Sequence, residues 1–480
     1  MTEVDKFYDR KEELASLQEK YELIDKYTAG TMLAVYGRRR VGKTELIRKF
    51  LDAKEPVLYF YVDLAEKNVL LDALSKAVQE QLKETVVFGN FSEFFDYITK
   101  KTSDKKFVLA IDEFQRFIDV APEFITSLQK NWDTTLKNRQ IMIIIVGSSI
   151  GMMQKITSSR AGALYGRATR TKISPFKYKD MREMFSELTE EEKVIRYAVF
   201  GGTPYYLEKT KRYPDTRTAI DELILKKDGD LSEEPRILME YENVRVHAKY
   251  NSILQSISEG KEIFKEIQDY TKIEPNTLPP YLIKLDKLLD LIERNDPVLG
   301  KERLGRYKIK DNFFRFWYKF IARNQTPLSL GNTQYVADII KNELNAYVGR
   351  IFEEVIKELL IAYQGQEIQG HKINFEAIGG WWDRNGNEID IAAHNPKERT
   401  LLLGEVKWTN QPVDTDLLDE LIRKGKLIGA SGKYDYMIAS KSGFTERCLQ
   451  RMDTEKVIHL DLKDVGGLYE KLVGASKQHL

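Results

Sequence analysis

The hydrophobic positions of the first part of the chain fall into four short apolar runs, which alternate with segments of helical periodicity and are followed by a fifth, partly polar segment. The apolar runs occupy residues 32–36, 57–62, 107–111 and 141–146, and the fifth segment, 171–176, is interpreted as a further strand closed by its proline. Runs of this length suit buried strands, and strands alternating with helices predict a parallel sheet covered on both faces. Ligands of such sheets bind beyond the carboxyl ends of the strands. We therefore expect the chemistry of this region at that edge.

The pattern becomes helical after residue 176, and Gly-Gly-Thr-Pro at 201–204 places a rigid corner within it. Residues 247–311 then predict three short helices and a hairpin whose loop carries Lys301, Arg303 and Arg306. This order is typical of a winged helix. Such units bind DNA or make protein contacts, and the presumed recognition helix is only weakly basic, so both remain open. The aromatic run at 313–318 predicts packing between domains.

The segment between the first apolar run and the next helix matches G-x-x-x-x-G-K-[ST], the pattern of a phosphate-binding loop. Its backbone N–H groups and the following helix N-terminus favour phosphate. Lys43 can reach the β- and γ-phosphates of ATP, and the Thr44 hydroxyl can bind Mg²⁺. The predicted nucleotide-binding residues here are Gly37, Arg38, Arg39, Arg40, Val41, Gly42, Lys43, Thr44 and Glu45.

Two acids follow the third apolar run, as expected for the partner of a phosphate loop. Asp112 is predicted to hold Mg²⁺, and Glu113 to orient or deprotonate the attacking water. The fourth run ends at Ser148, which would lie between the phosphate loop and Asp112; it either touches the γ-phosphate or water, or belongs to a simple turn. Pro204 is a further predicted nucleotide-binding position, at the Gly-Gly-Thr-Pro corner.

Other features near the predicted nucleotide site admit two interpretations. Leu14, Leu17, Tyr21 and Ile24 give a helix an apolar stripe, which packs beside either the adenine or the sheet. One of the residues Arg160, Arg167 and Arg170 is a candidate arginine finger, although solvated surface charge explains each equally well.

The last third of the chain carries a second set of charged residues. Apolar positions from 348 to 360 predict an amphipathic helix in which Glu353 and Glu354 flank the stripe, so periodicity does not choose between them. A hairpin between the strands at 388–392 and 401–407 would bring Asp390 beside Glu405. Two carboxylates and a backbone carbonyl suit Mg²⁺, and Lys407 can position a water or stabilise the transition state. The alternative is a pair of salt-bridged surface strands.

Composition limits the number of domains and the kinds of partner that the chain can have. Of the 480 residues, 42% are hydrophobic and 31% charged, which favours roughly two to four folded domains. Lys and Arg total 75 against 74 for Asp and Glu, so any basic surface must be local. The single cysteine excludes a disulfide framework. A charged N-terminus and the lack of a long apolar run lead us to expect a soluble cytoplasmic protein without a membrane partner.

Both ends of the chain resemble known families. Residues 7–207 resemble archaeal and bacterial ATPases related to the STAND branch of the AAA+ superfamily, through Phe7-Tyr8-Asp9-Arg10, GRRRVGKT, Asp112-Glu113-Phe114-Gln115, Val146-Gly147-Ser148-Ser149 and Gly201-Gly202-Thr203-Pro204. The resemblance implies ATP binding, a helical lid and a following winged helix. In it, the Gly-x-Pro corner stands where other AAA+ proteins carry a sensing arginine.

From about residue 313 the chain is similar to PD-(D/E)XK nucleases. The resemblance selects Glu353, because Gly349 precedes it in the Gly-x-x-x-Glu pattern, and it makes Glu353, Asp390, Glu405 and Lys407 the catalytic set, with Asp390 and Glu405 as metal ligands. The proline that often precedes the aspartate is replaced by Ile389.

These inferences predict an α/β fold, namely a P-loop AAA+ parallel sheet with a helical lid, a winged helix and a C-terminal restriction-endonuclease-like α/β domain. The predicted boundaries are 1–176, 177–244, 245–311 and 312–480. The expected function is an ATP-hydrolysing switch coupled to a Mg²⁺-dependent DNA nuclease. The alternatives are a STAND-type signalling or scaffold ATPase, whose nuclease fold only binds DNA or protein, and a ring-shaped motor. Expected partners are ATP or ADP, DNA, and a protein partner or a second copy.

Overall fold

The computed structural model describes residues 7–8, 10–102, 105–241, 247–300 and 304–478. It divides into two compact units, one comprising Met1–Pro175 with Lys287–Asp290 and the other Phe176–Asp286 with Leu291–Leu480. Three residues singled out in the sequence, Asp9, Lys301 and Arg303, lie outside the described residues.

The first unit is a sheet with helices on both faces. Its strands are β1 Thr31–Tyr36, β2 Val57–Tyr61, β3 Phe107–Asp112, β4 Ile141–Gly147 and β5 Thr169–Lys172. Its helices are α1 Lys11–Tyr27, α2 Lys43–Leu51, α3 Lys67–Leu82, α4 Phe91–Lys101, α5 Phe117–Val120, α6 Pro122–Thr134 and α7 Ile150–Thr157.

All strand pairs of this sheet are parallel, in the order β2-β3-β4-β1-β5, which confirms the predicted sheet. Alternate residues of each strand face opposite helical layers. Leu33 and Ile144 pack with α1 and α2, whereas Leu109 and Ile143 pack with α3, α4 and α6. The order places β4 between the phosphate-loop strand β1 and the acid-tipped strand β3, as the sequence predicted for Ser148.

The fifth strand differs from the sequence prediction. The strand begins at Thr169, two residues before the predicted segment 171–176, and it ends at Lys172. Ile173 donates one more backbone bond to Tyr36, over 2.7 Å. Pro175 has no N–H to donate, so the ladder stops before it. The exposed Thr and Arg positions of β5 suit an edge strand, which hydrophobicity alone does not reveal.

The second unit begins with helices. They are α8 Tyr178–Met181, α9 Glu190–Phe200, α10 Pro204–Thr210, α11 Thr216–Ile220, α12 Glu234–Tyr241, α13 His247–Ser258, α14 Phe264–Thr271, α15 Leu278–Ile283, α16 Asn312–Phe316, α17 Gln325–Ser329, α18 Thr333–Ala362, α19 Thr415–Ile428, α20 Glu446–Glu455 and α21 Leu462–Gln478.

The strands of the second unit form two hairpins and a mixed sheet. They are β6 Ile292–Asn295, β7 Arg306–Ile309, β8 Glu367–Ile368, β9 His371–Lys372, β10 Ala377–Trp382, β11 Glu388–Asn395, β12 Thr400–Lys407, β13 Lys433–Ser440 and β14 Ile458–Asp461. The five-stranded sheet has the order β10-β11-β12-β13-β14; β10, β11 and β12 pair antiparallel, and β12, β13 and β14 pair parallel. In this sheet β10 is an edge strand, with β11 as its neighbour.

The helix predicted at 348–360 is the C-terminal half of the 30-residue α18. All seven of its predicted apolar positions are buried. The aromatic run at 313–318 is buried too, apart from half-buried Arg315 within it; for example, Phe313 contacts Phe200 and Tyr206. These contacts lie within the second unit, and the predicted packing between domains stays a prediction. Among the described residues, none of the helices combines the length and the apolar character that crossing a membrane requires.

Candidate functional site

The phosphate loop joins β1 to α2 through backbone conformations that favour glycine. Gly42 stands at the N-cap of α2 with φ 86°, and no side chain caps that helix end. A Cβ placed on Gly37 would lie 2.2 Å from the Ile173 carbonyl oxygen, so a side chain is excluded there. The result is a concave loop at a helix N-terminus, open to a phosphate group.

Two buried cations are tied to the loop backbone. The Lys43 ammonium, on a residue 6% exposed, donates to the carbonyls of Gly37 at 2.9 Å and Arg38 at 2.7 Å. Arg10 donates to the carbonyls of Val41 at 2.9 Å and Ser174 at 2.7 Å, and so links the loop to the segment after β5. The sequence singled out Arg10 only as part of a run.

Asp112 is the centre of a hydrogen-bonded group at the end of β3. Its Oδ2 accepts the Thr44 hydroxyl at 2.7 Å and the Tyr59 hydroxyl at 2.8 Å, and its Oδ1 accepts the Glu113 backbone N–H at 2.8 Å. Burial and the Asp112 charge raise the pKa of Tyr59, which keeps its phenol protonated as a donor. Tyr59 was missed because a tyrosine in an apolar run carries no signal of its own.

Glu113 belongs to a neighbouring group that includes the end of β4. Its Oε2 accepts the Ser148 hydroxyl at 2.9 Å and the Gln115 amide at 2.6 Å, and Gln115 also donates to Ser148 at 3.2 Å. Glu113 itself has φ 53°, which turns the chain sharply after the strand. The structure therefore brings Thr44, Asp112, Glu113 and Ser148 together at the strand ends.

The remaining predicted residues of this region are distributed differently. Glu45 is exposed and lies 3.7 Å from Arg48, and Pro204 begins α10 in the second unit. Arg167 forms a two-pronged pair with Asp133, and Arg170 donates to Ser158. Leu17 and Ile24 of α1 pack against the sheet. The roles of these residues toward nucleotide stay predictions.

The second charged group lies on β11 and β12. In their antiparallel register Ile391 pairs with Gly404, so Asp390 and Glu405 are neighbours across the hairpin, as predicted. Asp390 Oδ2 accepts the Val406 backbone N–H at 2.8 Å, while the side chain of Glu405 is only 2% exposed. Burial and the Glu405 charge raise the pKa of Asp390.

Two lysines hold the Glu405 carboxylate. Lys407 donates to Oε2 at 2.8 Å and Lys424, from α19, donates to Oε1 at 2.8 Å; Lys407 also lies 3.7 Å from Asp390 Oδ2. Although burial opposes its charge, Asp390 and Glu405 raise the pKa of Lys407. Lys424 was missed because a single lysine on an amphipathic helix has no distinguishing pattern.

The helix acids separate into two environments. Burial and the Asp390 charge raise the pKa of Glu353, and the two residues line one cavity. Glu354 instead accepts from Arg315 at 3.1 Å; burial opposes its ionisation, but Arg315 prevails and lowers its pKa. The two acids thus differ in their charged neighbours, although Glu354 lines the same cavity as Glu353 and Asp390. The choice of Glu353 as the site residue stays a prediction.

A cavity of about 370 Å³ lies over this second group. Glu353 and Asp390 line it together with Arg306 and Lys308 of the β6–β7 hairpin and Glu388 of β11. Within the described ranges, no group of three or more His, Cys, Asp or Glu side chains is arranged to hold a metal ion. The acids present pair with lysines and a backbone N–H instead.

The residues of the first site fit a magnesium nucleotide. The uncapped helix start and the loop that excludes a Cβ at Gly37 suit phosphate, and the oxygen donors of Thr44 and Asp112 suit Mg²⁺. The second site offers carboxylates of the right kind for a hard cation, yet ammonium groups already contact them.

Comparison with known proteins assigns the family. Residues 7–210 match the family described as an ATPase domain predominantly from Archaea, and residues 317–418 match a family of archaeal and bacterial proteins of unknown function. The uncharacterised protein MJECL04 of Methanocaldococcus jannaschii is 34% identical over 447 residues, which cover 91% of this chain and 96% of that protein. The uncharacterised ATP-binding protein MJ0423 of the same organism is 47% identical over 49 residues, covering 10% of this chain and 76% of that protein.

Among solved structures, the Walker-type ATPase PABY2304 of Pyrococcus abyssi superposes with a TM-score of 0.50 at 22% identity, covering 65% of this chain and 96% of that one. This likeness supports the fold. The match to MJECL04 over nearly the whole of both chains shows that this chain belongs to the same family, and its residues 7–210 match an ATPase domain of the predominantly archaeal type.

Proposed function

We propose that this ATPase is a nucleotide-driven switch whose second unit hydrolyses phosphodiester bonds of DNA with a divalent cation. The observation that carries the second half is the placement of Asp390 beside Glu405 across the β11–β12 hairpin, with Lys407 in contact with Glu405 and near Asp390. Oxygen ligands and a neighbouring cation are what phosphodiester hydrolysis requires.

At the first site each residue has a distinct proposed role. Lys43, now directed at the loop carbonyls, would instead stabilise the β- and γ-phosphates. Thr44 and Asp112 would hold Mg²⁺, which supplies neutralisation of phosphate charge when bound. Glu113 would orient and accept a proton from the attacking water, and Ser148 would hold Glu113 in place through the hydrogen bond already present.

At the second site the chain's residues would bind the cation and orient the water and the phosphate. Asp390 and Glu405 would ligate the cation, which supplies Lewis-acid polarisation of the phosphate when bound. Glu353 would orient a water through its carboxyl, and Lys407 would turn from Glu405 towards the phosphate oxygen. A cation would replace the ammonium contacts of Glu405, so occupancy of the site and release of the lysines are coupled.

Plasmid nicking tests the nuclease proposal. Supercoiled DNA incubated with the parent and Mg²⁺ or Mn²⁺ should become nicked, and Asp390→Ala should reduce the rate by at least about 100-fold, since it removes a ligand. Glu367→Ala is the matched control, because Glu367 is an exposed acid of the same unit with no part in the cavity. Nicking that survives Asp390→Ala would assign it to a contaminant.

A parent that cleaves with neither metal would favour the scaffold alternative, in which the second unit only binds DNA or protein. Retention of DNA on a filter at increasing salt then shows whether the second unit binds DNA or protein. Binding through phosphate contacts falls steeply with salt, whereas a protein-binding module gives no retention at any salt.

A further inference from the structure

We propose that the β6–β7 hairpin, Ile292–Asn295 with Arg306–Ile309, is a removable cover over the second site, and that the nucleotide state of the first unit controls its release. We call it the basic hairpin. The inference rests on the proposed nuclease function, but the cover itself can be tested without measuring DNA cleavage.

The first argument is access. The basic hairpin contributes Arg306, Lys308 and Ile309 to the wall of the cavity that contains Glu353 and Asp390. A volume of about 370 Å³ corresponds to a sphere about 9 Å across, which is narrower than the major groove of B-DNA alone, about 12 Å. The Asp390 side chain is 14% exposed. Because the basic hairpin forms part of this wall, its movement would widen the access of a duplex to these acids.

The second argument is the kind of contact that holds the cover. Arg306 pairs with Glu388 at 2.8 Å and stacks on the Trp382 ring, 4.5 Å from its centroid. The Trp382 indole donates to the Leu304 carbonyl at 2.8 Å, and Val298 donates to the Gly380 carbonyl at 2.9 Å. These bonds lie along β10, the edge of the sheet. The contacts to β10 are partly exposed, whereas β7 is also bound to the helical part of its own unit: the Tyr307 N–H donates to the Glu262 carbonyl at 2.7 Å, and Arg315 donates to the Ile309 carbonyl at 2.6 Å. Release would therefore separate the basic hairpin from β10 while it stays with that helical part.

The third argument is charge. Lys308 lines the same cavity as Glu353 and Glu354, and its charge favours the ionised form of both. Arg306 is engaged with Glu388, two residues before Asp390. The cover thus presents cations to the acids that would otherwise repel one another. Once released, the same cations are available to DNA phosphates.

The fourth argument is a covalent link to the nucleotide-binding unit. Residues Lys287–Asp290 belong to the first unit, and the chain enters the second unit at Leu291, one residue before β6. Asp290 pairs with Lys172 at the end of β5, at 2.5 Å. Leu288 packs on Gly151 of α7, which begins two residues after Ser148. A shift of α7 on nucleotide binding would therefore move the residues that lead into the basic hairpin.

A reversible cross-link tests the cover. A Cβ built on Gly379 lies 3.1 Å from Val298 Cγ2, the position of Sγ in a cysteine, so Val298→Cys with Gly379→Cys has suitable geometry for a disulfide. The native Cys448 is buried and does not compete. Oxidation should lower nicking at least tenfold, and dithiothreitol should restore it. Each single cysteine variant serves as a control. Parent-like nicking by the oxidised double variant overturns the proposal.

Cysteine labelling tests the cover without cleavage. Glu353→Cys should react with a charged maleimide at least tenfold more slowly than Glu367→Cys, and adding Arg306→Ala should accelerate it at least fivefold. ATP should also accelerate it, but not in a Lys43→Ala background. Asp290→Ala should abolish the ATP effect, whereas Asp133→Ala, which breaks the ion pair with Arg167 in the same unit, should preserve it.

The two experiments separate the two proposals. Labelling of Glu353→Cys at the rate of Glu367→Cys overturns the cover, whatever the nicking result. If Glu353→Cys is labelled slowly and Arg306→Ala accelerates the labelling, the cover is supported. If, in addition, no variant nicks DNA, the nuclease function is overturned. An ATP effect that persists in Asp290→Ala overturns the proposed link through Lys287–Asp290.

Discussion

The two sites both place carboxylates at strand ends, but they satisfy them differently. Asp112 and Glu113 accept hydrogen bonds mainly from neutral donors: hydroxyls, a backbone N–H and an amide. Glu405 is held instead by two ammonium groups, and Asp390 lies near one of them. Neutral donors leave the negative charge available to a cation, whereas built-in lysines already neutralise it. Glu113 also lies 3.8 Å from Arg116, so the contrast is clearest between Asp112 and Glu405. Under the proposed function, Asp112 would accept a metal without losing a charged partner, and Glu405 would exchange one.

The largest expected effect concerns the first site. Lys43→Ala should reduce ATP hydrolysis at least about 100-fold, because the ammonium is the phosphate-binding cation of the loop. Phosphate release measured by malachite green gives the rate. Lys49→Ala is the control, since Lys49 is exposed on the same helix and pairs only with Asp52. A rate in Lys43→Ala equal to that of Lys49→Ala would remove the loop from catalysis.

Glu358 tests whether burial raises the pKa of a carboxyl group even when its hydrogen-bond donors are neutral. It accepts from the Tyr178 N–H at 2.9 Å and the Tyr197 hydroxyl at 3.3 Å, and burial raises its pKa to about 7. A raised folded-state pKa gives stability that is present below the unfolded value, near 4.5, and is lost as pH rises through 7. Ionisation then costs at most about 3 kcal/mol.

Glu358→Gln should therefore become more stable than the parent as pH rises. At pH 5 the thermal midpoints of parent and Glu358→Gln should differ little, and at pH 8.5 the variant should melt several degrees higher. Calorimetry at both values measures the difference. Glu367→Gln, an exposed acid, should show no such pH dependence. A constant difference across pH would mean that burial is not the cause.

A smaller effect tests the exchange of partners at the second site. Lys424→Met removes one ammonium from Glu405 and should raise Mn²⁺ affinity about tenfold, because one competing charge is gone. Titration calorimetry gives the affinity. Lys426→Met, an exposed position of the same helix, is the control. Weaker Mn²⁺ binding in Lys424→Met would show that this lysine orients Glu405 rather than competing with the cation.

The smallest effect concerns the neutral donors of the first site. Tyr59→Phe removes the hydroxyl that donates to Asp112 but leaves the ring in place. The Mg²⁺ concentration for half-maximal ATP hydrolysis should change about threefold or less, since Thr44 and the Glu113 N–H remain. Tyr61→Phe, exposed on the same strand, should have no effect. A change of 100-fold would make Tyr59 a residue of the catalytic group.

Local pattern was sufficient for much of the fold and for the candidate positions. The parallel sheet follows from short apolar runs that are buried on both faces, and α18 and the β11–β12 hairpin follow from the alternation of apolar and polar positions. The phosphate loop follows from a motif with fixed spacing. The winged helix and the nuclease assignment of residues 312–480 stay predictions, since fold alone does not establish function.

Other contacts join residues far apart in the chain, and no local pattern contains them. Tyr59 meets Asp112 across 53 positions, and Lys424 meets Glu405 from a helix whose pattern records only its apolar face. The difference between Glu353 and Glu354 is similar: both flank one stripe, and the Arg315 guanidinium beside Glu354 separates their environments.

The sequence by itself determined which carboxylates and lysines exist and which strand or helix carries each, because side-chain periodicity and a motif are local properties. The tertiary structure alone decided what each carboxylate faces: hydroxyls and amides around Asp112 and Glu113, ammonium groups around Glu405 and the basic hairpin over Glu353. The physical reason is that a charge responds to its neighbours in space and to its burial, and both arise only when distant segments pack together.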